Sequence, residues 1–177
     1  MSKTTNIMEE VEENFAAPGF RNNQDAVTKE MVEALRGDYD VVVLSAPTGF
    51  GKSLALECAG QMTGPAYYTT PLNALVDQLS DDEFLGDRLT TIKGRNNYQC
   101  VHPEDKGESV DQAICQRDDA FECDVKDSEC PYYSRKLLAQ DENMVATNLA
   151  FIMAESMVPP NDYKLGERNT LIVDECQ

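Results

Sequence analysis

The chain has 177 residues, 41% of them hydrophobic, which is enough for one sizeable core and a small additional domain. Its 32 acidic residues against 15 lysines and arginines give a net charge of −17, which argues against long-range attraction to nucleic acid. No stretch is long and apolar enough to span a membrane, and acids stand where a signal peptide has its apolar core. We therefore expect a cytoplasmic protein whose six cysteines are thiols or metal ligands rather than disulfides.

The acidic residues are spread along the whole chain rather than gathered in one tail. A surface of this kind stays hydrated at high salt, where dissolved ions screen the repulsion between carboxylates. The charge pattern therefore predicts a halophilic protein.

In chain order, the apolar pattern predicts alternating helices and strands. "QDAVTKEMVEALRG" has one apolar helical face and ends at Gly37, and "VVVLS", residues 41–45, is the continuous apolar run of a strand buried on both faces. A loop and a helix follow it, and a further helix begins near Pro71. More strands are expected at "AYYTT", "RLTTIKG", "NMVATN" and "TLIVD", with a helix through "LAFIMAESM". This alternation predicts an α/β fold with a parallel sheet covered by helices.

The segment "APTGFGKS", residues 46–53, follows the first predicted strand and opens a helix, which is the context of a phosphate-binding loop. Its glycines allow backbone N–H groups to wrap around phosphates, Lys52 adds a positive charge, and Ser53 can ligate Mg²⁺. A chance glycine-rich turn is the alternative. The predicted nucleotide-binding residues of the loop are Gly49, Phe50, Gly51, Lys52 and Ser53.

Two carboxylates, Asp174 and Glu175, follow the last apolar run "TLIV". In a P-loop NTPase an acid at the end of a neighbouring strand holds Mg²⁺, and a second acid orients the attacking water. Asp174 suits the first role and Glu175 the second, so Lys52, Asp174 and Glu175 are the predicted catalytic residues. An ordinary strand end entering a loop is the alternative.

Four cysteines, Cys100, Cys115, Cys123 and Cys130, lie in a polar segment that is short of aliphatic residues. Such a segment buries too little apolar surface to fold alone, and four thiolates can hold either a tetrahedral zinc or an iron–sulfur cluster. No tight CxxC knuckle is present. The spacing leaves the metal open, and four free structural thiols remain an alternative.

Five elements in order, together with the two borders of the four-cysteine segment, resemble the XPD and DinG family of superfamily 2 DNA helicases. "FRNNQ" is similar to its Arg-x-x-Gln element, "APTGFGKS" to motif I, "TTPLNALVDQ" to motif Ia, and "LIVDECQ" to motif II. "TIKGRNNYQC" and "CPYYSRK" resemble the borders of its iron–sulfur insert, and "MVATNLAFIMAE" the segment after that insert. The resemblance covers nearly the whole chain.

The resemblance implies a RecA-like P-loop NTPase domain, residues 1–92 and 137–177, interrupted by an iron–sulfur domain at residues 93–136. It implies ATP and Mg²⁺ as cofactors, adenine contacts from Arg21 and Gln24, and a [4Fe-4S] cluster on the four cysteines. It also implies a small domain that grips and splits duplex DNA, with single-stranded or forked DNA as partner and 5′ to 3′ polarity.

Further candidates for DNA binding lie around the insert and in the motif Ia region. The basic residues of this set are Lys93, Arg95, Lys126, Arg135 and Lys136. Its base-stacking candidates are Tyr98, Tyr132 and Tyr133, for which packing against the insert is the alternative. Its candidates for phosphate contact are Thr69, Thr70 and Asn73.

The sequence departs from the family in two ways. Motif II commonly ends in histidine, whereas this chain has Gln177; Cys176 replaces a small residue there, and Cys58 is expected to be a buried small hydrophobe. His102 is expected to be a bystander rather than a cluster ligand. Superfamily 2 motors have a second RecA-like domain that supplies an arginine finger, and nothing after motif II is present.

The chain is therefore expected to be the N-terminal half of a motor: a fragment, a truncated gene product or one piece of a split protein. A separate polypeptide carrying the second domain is an expected partner, and the isolated chain is expected to be inactive. Two alternatives stay open, a nucleotide-dependent DNA-binding module without turnover and a zinc-stapled P-loop ATPase.

Overall fold

The computed structural model describes residues 6–118, 120–161 and 163–175. The helices are α1 (Ile7–Asn14), α2 (Gln24–Arg36), α3 (Lys52–Thr63), α4 (Asn73–Asp81), α5 (Ile114–Arg117), α6 (Pro131–Asp141) and α7 (Leu149–Ser156). Short 3-10 helices lie at Arg95–Asn97, Pro103–Asp105 and Val110–Gln112. The strands are β1 (Ala66–Thr70), β2 (Thr90–Thr91), β3 (Met144–Asn148) and β4 (Thr170–Val173). None of the helices described is long and apolar enough to cross a membrane.

The four strands form one sheet in the order β2-β3-β1-β4, and every neighbouring pair is parallel. Tyr68 of β1 lies opposite Ala146 on one side and Ile172 on the other, so β1 and β3 are the inner strands. The crossovers between successive strands contain helices, as parallel pairing requires. The predicted α/β class with a parallel sheet is confirmed.

The predicted strand at residues 41–45 is the main difference from the sequence expectation. The segment is in no strand, and its backbone makes no hydrogen bond with any residue that the structure describes. Val42 and Leu44 pack against α1 to α3, whereas Val41 and Val43 are 75% and 85% exposed. The prediction of a strand buried on both faces is wrong because, within the part of the chain that the structure describes, no strand pairs with this segment and its second face is exposed.

Two further predicted elements are shorter than expected. The strand at "RLTTIKG" is only Thr90–Thr91, and the helix expected near Pro71 begins at Asn73. Helix α1 was not predicted; it begins after Asn6, whose side chain accepts a hydrogen bond from the Met8 N–H.

The apolar core has three parts. One lies among α1, α2 and α3, and a second lies between α3 and the sheet around Tyr68 and Met144. The third joins Cys100 and Cys130 to Val145 and Phe151. The cysteine segment therefore shares its core with β3 and α7, and its status as a separate domain stays a prediction.

Candidate functional site

The glycine-rich loop joins the segment at residues 41–45 to α3. Gly49 and Gly51 have φ angles of 81° and 84°, the left-handed region that favours glycine. Helix α3 begins at Lys52, directly after Gly51, so its first N–H groups lie at the loop. This combination of a left-handed loop and a helix N-terminus suits an anion.

The charged side chain of the loop, Lys52, is bonded to the backbone of the loop itself. The ammonium of Lys52 donates a hydrogen bond to the carbonyl of Ala46 at 3.1 Å. A phosphate oxygen is a stronger acceptor for an ammonium group than a neutral carbonyl, because both partners of that hydrogen bond are charged. Lys52 is therefore held by a bond that an anion can displace.

Ser53 and Asp174 lie 121 positions apart in sequence and meet in space. The Ser53 Oγ is 3.5 Å from the Asp174 Oδ2. The Asp174 N–H donates to the carbonyl of Thr69 at 2.9 Å, which fixes the carboxylate just beyond the ends of β1 and β4. The Glu175 N–H donates to the Asp174 Oδ1 at 2.9 Å. The predicted magnesium ligands are thus brought together at the carboxyl edge of the sheet, with Glu175 adjacent.

Sequence reasoning missed Tyr68, which orients Asp174. Its hydroxyl donates to the Asp174 Oδ2 at 2.6 Å, and the ring is fully buried. Burial, followed by the negative charge of Asp174, holds the pKa of Tyr68 well above its usual value. The phenol is therefore neutral near pH 7 and is a fixed donor to the carboxylate. The contact between Tyr68 and Asp174 could not be predicted from the sequence, because it depends on β1 lying next to β4.

The Arg-x-x-Gln element packs against the loop. Gln24 is 0% exposed; its Oε1 accepts from the Arg21 N–H at 2.7 Å, and its Nε2 donates to the Gly51 carbonyl at 3.2 Å. A side chain at Gly51 would collide with the Gln24 amide. A cavity of about 390 Å³ opens beside this contact, lined by Asn22, Asn23 and loop residues. Both ends of the Gln24 amide are engaged by protein, so adenine contacts from Arg21 and Gln24 stay predictions.

The four cysteines of the insert differ in exposure. Cys100 and Cys130 are buried, Cys115 and Cys123 are partly exposed, and all four are free thiols. Burial raises the pKa of Cys123, and the charges of the other three thiols raise it further. Four thiolates are soft ligands whose chemistry fits an iron–sulfur cluster or zinc. Among the described residues, however, no three His, Cys, Asp or Glu side chains are grouped to hold a metal ion.

The insert is held by local backbone hydrogen bonds. The Cys100 N–H donates to the Glu108 carbonyl at 2.7 Å, and the Val110 N–H donates to the Tyr98 carbonyl at 2.9 Å. His102 caps the next short helix by accepting from the Glu104 N–H at 3.3 Å. These contacts give His102 a structural role in the loop.

Most of the side chains considered for DNA binding around the insert are engaged inside the protein. Tyr132 and Tyr133 are buried, which supports the alternative that they pack within the protein over the possibility that they stack on bases. Lys136 is also buried and forms an ion pair with Glu155 at 2.8 Å. The buried rings of the two tyrosines and the ion pair of Lys136 with Glu155 therefore stabilise the packing of α6 against α7.

The other residues of that set also have protein partners. Lys93 pairs with Asp77, and the Tyr98 hydroxyl accepts from the Lys93 N–H. Arg135 donates to the carbonyl of Thr91 at 2.6 Å. Arg95 lies over Tyr132 and Lys126 over Tyr133, as cation–π contacts.

The candidate residues of the motif Ia region also have partners within the protein. Thr69 is fully buried and donates to the carbonyl of Ile172 at 2.7 Å, so it is not available for phosphate contact. Thr70 donates to the Leu72 carbonyl at 3.1 Å. Asn73 is partly exposed and bonded to Asn97 and Asn148.

Cys176 and Gln177 lie outside the described residues. Cys58 is buried on α3 as expected, and burial raises its pKa to about 12. Comparison with known protein families finds none that matches the chain, and no curated protein matches it either. The resemblance to superfamily 2 helicases therefore rests on the quoted motifs alone.

Proposed function

We propose that this chain is the N-terminal motor half of an ATP-dependent DNA helicase, with a RecA-like domain that binds Mg²⁺–ATP. The observation that carries the proposal is the meeting of Ser53 and Asp174, at 3.5 Å, directly beside the loop. A chance glycine-rich turn has no reason to place a hydroxyl and a buried carboxylate together at the head of the following helix.

Each residue of the site has a role in this proposal. The backbone of residues 49–52 surrounds the phosphates, and Lys52 exchanges its bond to Ala46 for a phosphate oxygen. Ser53 and Asp174 hold Mg²⁺, which neutralises charge on the phosphates. Tyr68 keeps the Asp174 carboxylate in position, and Glu175 orients the attacking water.

The four cysteines are proposed to hold a [4Fe-4S] cluster. This is supported by the family-like borders of the insert and by the presence of four thiols in a polar segment that shares its core with β3 and α7. Zinc on the same thiols is the second candidate, favoured by the general affinity of four thiolates for that ion.

Single-stranded or forked DNA and a polypeptide with a second RecA-like domain are the proposed partners, and the 5′ to 3′ polarity follows from the resemblance. An arginine finger from such a second domain typically contributes about 10³ to 10⁵ in rate. We therefore expect nucleotide binding with almost no turnover by the isolated chain. A nucleotide-dependent DNA-binding module without turnover is the alternative in a different functional class.

Binding of a fluorescent ATP analogue with Mg²⁺, followed by anisotropy, tests the proposal. Lys52→Ala should weaken binding at least tenfold, because the loop loses its only side-chain positive charge. Lys29→Ala is the matched control: Lys29 forms an ion pair with Glu33 on α2, away from the loop, and should leave affinity unchanged. Equal binding by all three proteins, or no binding by the unmodified chain, would contradict a nucleotide site here.

A further inference from the structure

The cavity beside the glycine-rich loop is lined by residues other than the two that the resemblance assigns to adenine. Its volume is about 390 Å³, within the roughly 300–1,000 Å³ of small-molecule sites. Asn22 and Asn23 line it, together with apolar side chains such as Val27. Arg21 and Gln24, which flank the two asparagines in sequence, are not among its lining residues. A base placed in this cavity therefore meets the asparagines first.

Gln24 is engaged by the backbone on both sides of its amide. The side chain is 0% exposed; its Oε1 accepts from the Arg21 N–H at 2.7 Å, and its Nε2 donates to the Gly51 carbonyl at 3.2 Å. To reach a ligand the amide would have to break both bonds, and the buried groups left behind would lose their partners. Gln24 therefore holds the turn at Gly51, where α3 begins, and is not free to read a base.

The amides of Asn22 and Asn23 are in the opposite situation. Both residues are exposed, and neither side chain has a hydrogen-bond partner within the part of the chain that the structure describes. Their φ angles are 45° and 63°, in the left-handed region that asparagine adopts more readily than most residues. The turn that precedes α2 thus presents two unpaired amides at the edge of the cavity.

The chemistry of an amide suits a purine edge without fixing which purine. Each asparagine carries a donor NH₂ group and an acceptor oxygen. In one orientation these groups complement the ring nitrogen and the amino group of adenine. After rotation of the amide they complement the carbonyl and the ring N–H of guanine. An exposed amide with no protein partner is free to make this rotation.

We propose that Asn22 and Asn23 determine the base specificity of the nucleotide site, and that the site accepts GTP as well as ATP. Gln24 is a positioning residue of the loop in this proposal rather than a contact of the base. The apolar lining at Val27 and Leu44 favours the larger surface of a purine over that of a pyrimidine. The inference rests on the nucleotide site proposed above.

Displacement of a fluorescent ATP analogue, in the presence of Mg²⁺, tests the inference with three competitors: ATP, GTP and inorganic tripolyphosphate. Tripolyphosphate occupies the phosphate loop without a base. The ratio of ATP affinity to tripolyphosphate affinity therefore reports the contacts of the nucleoside separately from those of the loop. For the unmodified chain, ATP and GTP should bind within about tenfold of each other, because neither edge leaves the amides unpaired.

Glycine substitution removes the two amides without straining the turn. The double variant Asn22→Gly, Asn23→Gly keeps residues that adopt positive φ readily. It should lower the affinities of ATP and GTP, each relative to tripolyphosphate, by about tenfold, which is within the range for loss of a paired base edge. Both ratios should fall together, because the same amides serve both purines.

Gln24→Met keeps the length of the side chain and removes its amide. Because the bond to Gly51 is lost, the affinities of ATP, GTP and tripolyphosphate should fall by the same factor and their ratios should stay unchanged. Lys29→Ala, at the exposed ion pair of α2, is the control for both sets and should leave all three affinities unchanged. Circular dichroism checks that each variant folds.

The possible failures are distinguishable. If Gln24→Met lowers the affinity of ATP relative to tripolyphosphate and the glycine variant does not, base reading belongs to Gln24 and the inference is overturned. A preference of the unmodified chain for ATP over GTP beyond about a hundredfold would overturn it as well, since freely rotating amides do not discriminate so strongly. If the unmodified chain binds neither ATP nor tripolyphosphate, the nucleotide site itself is contradicted.

Discussion

Two regions of the molecule have opposite environments. In the covered half, formed by β2, β3 and β1, Val145 and Ala146 are fully buried between helices on both faces. In the open half, formed by β4 and the unpaired segment at residues 41–45, Leu171 and Val43 are open to solvent on one face. The glycine-rich loop and Asp174 both follow the open half. The candidate site therefore lies beside the less covered part of the fold.

The largest effect is expected in the cysteine segment, which we propose to be stabilised by a [4Fe-4S] cluster. Anaerobically purified protein should be brown and contain iron and acid-labile sulfide, and Cys115→Ser should remove both and expose residues 100–130 to protease. Cys58→Ala, at the buried thiol of α3 outside the segment, is the control and should retain iron. Stoichiometric zinc in a colourless protein would instead identify the site as a zinc centre.

Within the covered half, the next largest effect is expected at the buried ion pair. Lys136 bonds to the Glu155 Oε2 at 2.8 Å, and the Glu155 Oε1 accepts from the Leu165 N–H at 2.9 Å. Lys136→Met leaves a buried carboxylate unpaired, which should reduce the free energy of unfolding by about 3–5 kcal/mol. Urea unfolding measures this change.

The control for that pair lies on the surface. Lys29→Met breaks the exposed pair with Glu33 and should change the free energy of unfolding by less than about 1 kcal/mol. If the two lysine substitutions have equal effects, the contrast between covered and open regions does not extend to electrostatics.

Much of the candidate site follows from local sequence, because its chemistry is local. Gly49, Gly51 and Lys52 are read from one motif, and the apolar run before Asp174 indicates a strand end. Their convergence was expected from two strands ending at one edge of a parallel sheet; in the structure only Asp174 follows a strand, and Ser53 at the start of α3 makes the contact. Tyr68 could not be found in this way because its role depends on β1 lying next to β4.

The environment of residues 41–45 could not be predicted for a related reason. An apolar run indicates a buried strand, but burial depends on neighbours that lie elsewhere in a chain or in another one. For Tyr132 and Tyr133 the sequence left base stacking and packing against the insert open, because burial depends on the neighbouring elements; in the structure both residues lie in the core beside Val145.

A smaller effect is expected at Glu57 of α3, the helix that spans both halves. Its carboxylate is fully buried, bonds to Arg88 at 2.8 Å, and leaves its Oε2 without a partner among the described residues. Burial raises the pKa of Glu57, and this outweighs the lowering by Arg88. The contribution of Glu57 to stability is therefore fully present below its usual pKa and is lost as the pH rises through the raised value.

Urea unfolding between about pH 4 and about pH 8, a range that begins near the usual carboxyl pKa, measures this effect. Glu57→Gln should flatten the fall of stability with pH, which for one proton is at most about 1.4 kcal/mol per pH unit. Glu33→Gln, on the exposed face of α2, should leave the profile unchanged. A steeper profile for Glu57→Gln would mean that Arg88, and not burial, controls the carboxyl group.

The smallest effect is expected from a substitution in the open half, which is compared with the same substitution in the covered half. Val43→Thr exchanges a methyl group for a hydroxyl at a position that water already reaches, so the free energy of unfolding should change by less than about 0.5 kcal/mol. Val145→Thr makes the same exchange on β3, where the side chain is fully buried, and should cost about 1–3 kcal/mol because the hydroxyl loses water. Urea unfolding of the two variants compares the halves at constant side-chain shape. Equal costs for the two substitutions would contradict the difference in burial between Val43 and Val145.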